Sequence, residues 1–168
     1  MIKRLFAALI VCIAMSGCVT EPAEGLHGLD IGTSLPEFSV AMADGMVADN
    51  AYLKGRVAIV AFFRTTCPDC QQELPVLQRV YEEYADVKMV LISVGEDNAS
   101  ISKYWTENGL TLPYSAQTDK TVARTFKVGA VPQVYVCDEN GVVRFAHSDN
   151  PIATYDQLTQ ELNQLLKK

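Results

Sequence analysis

The residues Val57-Ala58-Ile59-Val60-Ala61-Phe62-Phe63 run through Arg64-Thr65-Thr66 directly into Cys67-Pro68-Asp69-Cys70. The first seven form an unbroken apolar run, the composition of a strand buried on both faces of a sheet. From Pro68 to Tyr84 the residues Leu74, Leu77, Val80, Tyr81 and Tyr84 recur at helical spacing, with Gln, Glu and Arg opposite them. Pro75 falls inside that helix and predicts a kink. The Cys-x-x-Cys pair thus sits where a buried strand gives way to a helix, a setting in which the spacing carries redox meaning.

At the first turn of the helix, Cys67 faces unpaired backbone N–H groups and the positive end of the helix dipole. Both stabilise a thiolate, so Cys67 is the expected nucleophile. Cys70, one turn along, is close enough to close or resolve a disulfide. Within the active-site loop Thr66-Cys67-Pro68-Asp69-Cys70, Pro68 restricts φ without removing a needed hydrogen bond. Asp69 adds a negative charge that opposes thiolate formation. A purely structural bridge is the bland alternative, but so short a loop removes little unfolded-chain entropy. Zinc would need a second cysteine pair or a close histidine pair, and His27 and His147 are far apart. No metal site and no cofactor are expected.

Strands and turns extend outward on both sides. Phe38-Ser39-Val40-Ala41 and Met46-Val47-Ala48 flank Asp44-Gly45, a hairpin signal. Val87 to Val94 reads as a second buried strand, and Ile101 to Asn108 before Gly109 as a short helix with its stop. Strand, helix, strand implies a parallel crossover. Thr118 or Asp119 is the expected cap of another short helix through Thr125, which Gly129-Ala130-Val131-Pro132 ends. Gln133 to Cys137 and Val142 to Ala146, joined by Asp138-Glu139-Asn140-Gly141, read as an antiparallel pair. Ile152, Leu158, Leu162, Leu165 and Leu166 describe an amphipathic C-terminal helix. Trp105 reads as packing.

The first residues carry Lys3-Arg4, the apolar run Leu5 to Ala14 and Ser16-Gly17-Cys18. The run is half the roughly 20 residues of a permanent span, so residues 1–17 read as a secretory signal. Met15-Ser16-Gly17-Cys18 resembles the bacterial lipobox, in which the cysteine is acylated and becomes the new N-terminus. Met15 stands where that motif usually has Leu, and ordinary cleavage or an uncleaved anchor are the alternatives to lipidation at Cys18. Residues 18–30, with Pro22, Gly25 and Gly28, read as a flexible tether, and 31–168 as one domain, the default for a chain of 168 residues. Losing Lys3 and Arg4 leaves twelve basic residues against twenty acidic ones, a net charge near −8. That balance argues against nucleic acid as a partner. Of the five cysteines, Cys12 leaves with the signal and Cys18 is the lipid site. The remaining odd number fits one redox pair plus one buried thiol, Cys137.

Lys54-Gly55-Arg56-Val57, the apolar strand, Thr65-Thr66-Cys67-Pro68-Asp69-Cys70, Glu73 and Pro75 together resemble the TlpA/ResA-like branch of the thioredoxin superfamily. Gly109-Leu110-Thr111-Leu112-Pro113, Asp119, Val128-Gly129-Ala130-Val131-Pro132 and Asp138-Glu139-Asn140-Gly141 look like its later landmarks. The resemblance covers roughly residues 31 to 166. It implies an α/β thioredoxin-like fold: a central mixed β-sheet flanked by helices, with an N-terminal β-hairpin extension and an inserted helix. It also implies that Pro132 is a cis-proline facing the cysteines, that the Val131 backbone pairs with an extended substrate, and that Glu73 is the carboxyl held near the sulfurs. Glu73, three residues after Cys70, shares its helix face, where it would exchange protons with the thiols and raise their pKa values. A solvated helix glutamate and a trans-proline turn are the plainer readings. Two positions depart from the pattern: Thr66 stands where such proteins commonly carry Trp, and Ala61 where true thioredoxins carry a buried acid.

The expected function is periplasmic thiol-disulfide exchange with protein substrates by a lipid-anchored monomer, reductive or isomerising, with a membrane redox partner as electron donor. Two other readings stand beside it. A peroxiredoxin-like thiol peroxidase would share the fold but usually carries a proline-rich approach to its cysteine. A copper-handling chaperone, using Cys67, Cys70 and His147, would space its cysteines three apart.

Overall fold

The computed structural model describes residues 25–166. The expected signal peptide, Cys18 as the expected lipid site and most of the expected tether lie outside the described residues. No helix among those described is long and apolar enough to cross a membrane.

Two short strands, β1 (Ser39–Ala41) and β2 (Val47–Asp49), form the N-terminal hairpin, with Val40 opposite Ala48. The Asp44 carboxylate closes its turn by accepting the Met46 N–H at 2.9 Å. A single helical turn, α1 (Asn50–Leu53), follows, capped by Asp49 on the Tyr52 N–H at 2.8 Å. One turn carries no periodicity, so the sequence pattern does not reveal it. All six residues of β3 (Ala58–Phe63) are buried, and α2 (Pro68–Glu83) continues through Pro75. β4 (Lys88–Ser93) runs parallel to β3, with Val60 opposite Val90. The inserted element is α3 (Asn98–Asn108), stopped by Gly109 at φ 64°, with the two-residue strand β5 (Tyr114–Ser115).

Beyond it, α4 (Thr121–Thr125) has Lys120 at its N-cap position, not Thr118 or Asp119. The Asp119 carboxylate instead accepts the Thr121 N–H at 2.7 Å from two residues away. β6 (Gln133–Cys137) is antiparallel to β3, and β7 (Val143–His147) antiparallel to β6. Asp138 holds the intervening turn by accepting the N–H groups of Asn140 and Val142. α5 spans Tyr155–Leu166 and leaves Ile152 ahead of it. Its start is a reciprocal capping pair, Thr154 with Gln157.

The five-stranded sheet has the order β5-β4-β3-β6-β7. Because strand side chains alternate, β3 feeds two cores. Ile59, Ala61 and Phe63 pack with Leu74, Leu77, Ile101, Leu158 and Leu162, under α2, α3 and α5. Ala58, Val60 and Phe62 pack with Phe38, Phe126 and Tyr135, under the hairpin and α4. Each fully buried leucine contributes about 1.5–3 kcal/mol. Tyr81, expected inside from its spacing, is exposed, while Glu73 and Gln78 are buried on the inner face of α2. Gln78 is satisfied there by both the N–H and the hydroxyl of Thr111, at 2.8 and 2.7 Å.

The end of the expected tether is bound to the domain. Gly28 N–H donates to the Lys127 carbonyl at 2.7 Å and Leu29 N–H to the Tyr135 hydroxyl at 3.1 Å. Gly32 N–H then donates to Val143 at 2.8 Å. Gly28, at φ 83°, lies where a Cβ would meet that same hydroxyl at 3.0 Å, so both its backbone and its lack of a side chain are required.

Candidate active site

Parallel pairing of β3 and β4 brings the loops after both strands to one end of the sheet, where α/β folds build their sites. Cys67 lies in the loop after β3 as the N-cap of α2, with extended backbone at φ −87° and ψ 121°. A cap residue aims its side chain at the free N–H groups of the first turn, and Cys67 Sγ accepts the Cys70 N–H at 3.4 Å. Pro68 occupies the first helical position, where no donor is needed. The Cys67 thiol donates to the Val131 carbonyl, also at 3.4 Å. The Val131–Pro132 peptide is cis. Cys67, Asp69 and Val131 are half-buried, Thr66 and Pro68 exposed, and Pro132 buried.

Cys70 is 1% exposed. Burial pushes its thiol far above the ordinary range, with further contributions from Cys67 and the charge of Glu73. Glu73 is 2% exposed, and its Oε1 accepts the Ala153 N–H at 3.2 Å across the gap to the segment before α5. Burial pushes its carboxyl up to about 7 against the opposing pull of that N–H. Near neutral pH it therefore exists in both protonation states, one turn from the buried thiol. Cys137 packs in the opposite core from Cys70, and burial followed by the charge of Asp138 lifts its thiol to about 12. The three described cysteines are all free thiols.

Glu96, in the loop after β4, is a residue the sequence pattern does not single out. Its two carboxylate oxygens accept the Thr65 N–H at 2.9 and 3.1 Å, and Oε1 accepts the Thr65 hydroxyl at 2.6 Å. Gln71 Nε2 donates to the Thr65 carbonyl at 2.7 Å, and Arg64 Nε to the Val94 carbonyl at 2.7 Å. These bonds fix the turn that presents Cys67. Glu96 is 31 residues from Thr65, and its only signal in the chain is its place just after a strand parallel to β3.

His147, placed with the cysteines in the copper reading, bonds Glu161 at 2.9 Å. Among the described residues no three His, Cys, Asp or Glu side chains converge as a metal site.

A thiol at a helix start, a cis-proline opposite it and a sheet of this order together describe a thioredoxin-like fold, and comparison with known proteins agrees. The profile of the AhpC/TSA family matches residues 31–146. The chain belongs to the AhpC/TSA family. The thiol-disulfide oxidoreductase ResA of Bacillus anthracis is 24% identical over 148 residues, covering 84% of this chain and 86% of that protein. ResA of Geobacillus kaustophilus is 27% identical over 116 residues, 68% and 67% of the two chains. A thiol:disulfide interchange protein from Chlorobium tepidum superposes with a TM-score of 0.70 at 26% identity, covering 82% of this chain and 98% of its own. The thioredoxin domain of a thiol-disulfide oxidoreductase from Bacteroides vulgatus gives 0.72 at 17% identity, covering 83% and 99%. This family member is a thiol-disulfide oxidoreductase with a thioredoxin-like fold.

Proposed function

We propose that the chain exchanges disulfides with exported proteins, running towards reduction or isomerisation, from a lipid anchor on Cys18 that holds it on the periplasmic face of a membrane. In this reading residues 1–17 are the signal peptide, 18–30 the tether, whose end at Gly28 and Leu29 is bound to the domain, and 31–168 the catalytic domain. A membrane redox partner returns electrons to the pair.

The reading rests on one observation: Cys67 Sγ lies 3.4 Å from both the Cys70 N–H and the carbonyl of Val131, the residue before cis-Pro132. A Cys67 thiolate attacks one sulfur of a substrate disulfide. The new S–S bond joins protein to substrate, and the second substrate sulfur leaves as a thiolate and takes up a proton. The Val131 backbone holds the substrate in an extended form across this step. Glu73, as carboxylate, then takes the Cys70 proton, and Cys70 attacks Cys67. The mixed disulfide breaks, the Cys67–Cys70 bond forms, and the remaining substrate thiolate is protonated. Two electrons have passed from the cysteine pair to the substrate.

A buried Cys70 thiol beside a partly charged Glu73 resists ionisation, and Asp69 adds a further negative charge, which disfavours a strongly oxidising pair. The expected potential lies well below about −120 mV, and glutathione equilibration giving a value near that figure would reverse the direction. In the peroxidase reading Thr65 would serve a peroxide at Cys67, but its hydroxyl is committed to Glu96. The deciding experiment uses Cys70→Ser, which removes the second attack. The variant should accumulate mixed disulfides through Cys67 in vivo. Absence of any trapped protein, with Cys67 demonstrably reduced, would end the proposal.

A further inference from the structure

Beside the cis-proline loop lies a cleft of about 220 Å³ that Val131 shares with the exchange site. Its charged lining consists of Arg64, Lys120 and Arg124, with no carboxylate. That concentration of positive charge stands out in a chain of net charge −6. Two separate segments supply it: the loop after β3 carries Arg64, and α4 with its N-cap residue carries Arg124 and Lys120. Among the described residues none of the three makes an ion pair. The nearby acids are otherwise engaged. Both Glu96 oxygens hold Thr65, and Asp119 accepts the Thr121 N–H at 2.7 Å without an ion pair to Arg124. Arg64 gives its Nε to the Val94 carbonyl, which anchors the side chain and leaves both Nη groups for a ligand.

We infer that this cleft is a specificity pocket that selects disulfide substrates carrying an acidic side chain within about three residues of the reacting cysteine, roughly 10 Å of extended chain. The inference rests on the exchange reading above. Val131 belongs to both features, since its carbonyl meets Cys67 and its side of the loop walls the cleft. Its N–H makes no hydrogen bond among the described residues, so an extended substrate has a backbone donor to pair with. A strand paired there sends alternate side chains to one side, into a pocket whose polar character decides which are accepted. Gly129 and Leu26 both line the cleft, and a Cβ on Gly129 would meet the Leu26 carbonyl oxygen at 2.3 Å, so the N-terminal segment closes against the cis-proline loop to form part of the wall.

Partly exposed charge pairs are individually weak, but three cations around one carboxylate add to a discrimination of about tenfold at low salt. The test uses the reduced mature protein and synthetic peptides with one internal disulfide, differing only in a flanking pair of residues that is acidic, amide or basic. The acidic peptide should be reduced about tenfold faster than its amide counterpart, with the advantage shrinking as salt screens it. Lys120→Glu combined with Arg124→Glu should invert the order in favour of the basic peptide, and Lys120→Gln with Arg124→Gln should bring the ratio near one. Each comparison is a ratio within one variant, so a change in thiol reactivity or in the fraction of active protein cancels. Equal wild-type rates on acidic and amide peptides, or a preference unchanged in the reversed variant, would overturn the pocket alone. No reduction of any peptide would overturn the exchange reading itself.

Discussion

Replacing Glu73 by Gln should change how stability depends on pH more than it changes stability at acid pH. An exposed glutamate titrates near 4.5, and burial in this fold raises Glu73 to about 7. Below 4.5 the carboxyl is protonated whether the chain is folded or not, and the native state carries no penalty. Between those two values the unfolded chain releases the proton while the folded chain keeps it, so stability falls as pH rises. Above about 7 both states are ionised, and the fold holds a carboxylate that is 2% exposed. Each pH unit of displacement is worth about 1.4 kcal/mol, so the loss accumulates to about 3 kcal/mol. Gln cannot ionise, and it keeps an oxygen for the Ala153 N–H that now bonds Glu73 at 3.2 Å. Urea unfolding of the reduced protein at intervals from about pH 4 to pH 8 should show the stability of Glu73→Gln, relative to wild type, rising by about 3 kcal/mol across that range. Parallel stability profiles would refute the buried titration and, with it, the proton acceptor assigned to Cys70. The same variant should release a Cys67 mixed disulfide at least about a hundredfold more slowly, read by single-turnover quenching.

Two further outcomes test the site's surroundings. Thiol labelling of the reduced native protein should modify Cys67 readily and leave Cys137 silent until denaturant is added, because Cys137 is 0% exposed and its thiol is raised to about 12; rapid native labelling of Cys137 would contradict its placement. Glu96→Ala should cost about 1–3 kcal/mol by stranding the buried Thr65 N–H, and should slow exchange by loosening the turn before Cys67. Glu96→Gln, which retains an acceptor, should recover most of both, and equal losses in the two variants would show that the bond to Thr65 is not what positions the loop.

Local signals account for the parts of this protein that the chain declares within a few residues. A short unbroken apolar run rich in β-branched and aromatic residues suits a strand covered on both sides, and β3 is buried throughout. Leucines at helical spacing require a helix, and Cys67-Pro68-Asp69-Cys70 falls at its start because a strand must end before a helix begins. Asp44-Gly45 and Asn140-Gly141 mark turns whose glycines adopt positive φ. The short elements α1 and β5 escaped such reading: the first is one turn, and the second exists as two residues paired to β4. Tyr81 and Glu73 show the limit of periodicity, since spacing defines a helix face but not which of its margins a neighbouring element covers.

What folding alone decided is which distant residues meet. Glu73 became a buried carboxyl because the chain 80 residues later passes over it with an N–H, and Glu96 became a positioning group because parallel strands end side by side. Arg64, Lys120 and Arg124 form one cleft although separate segments carry them. Sequence period reports on a residue's own turn or strand. Charge, burial and proton affinity at a site depend on the segments packed against it, and those are chosen by the long-range pairing of the sheet.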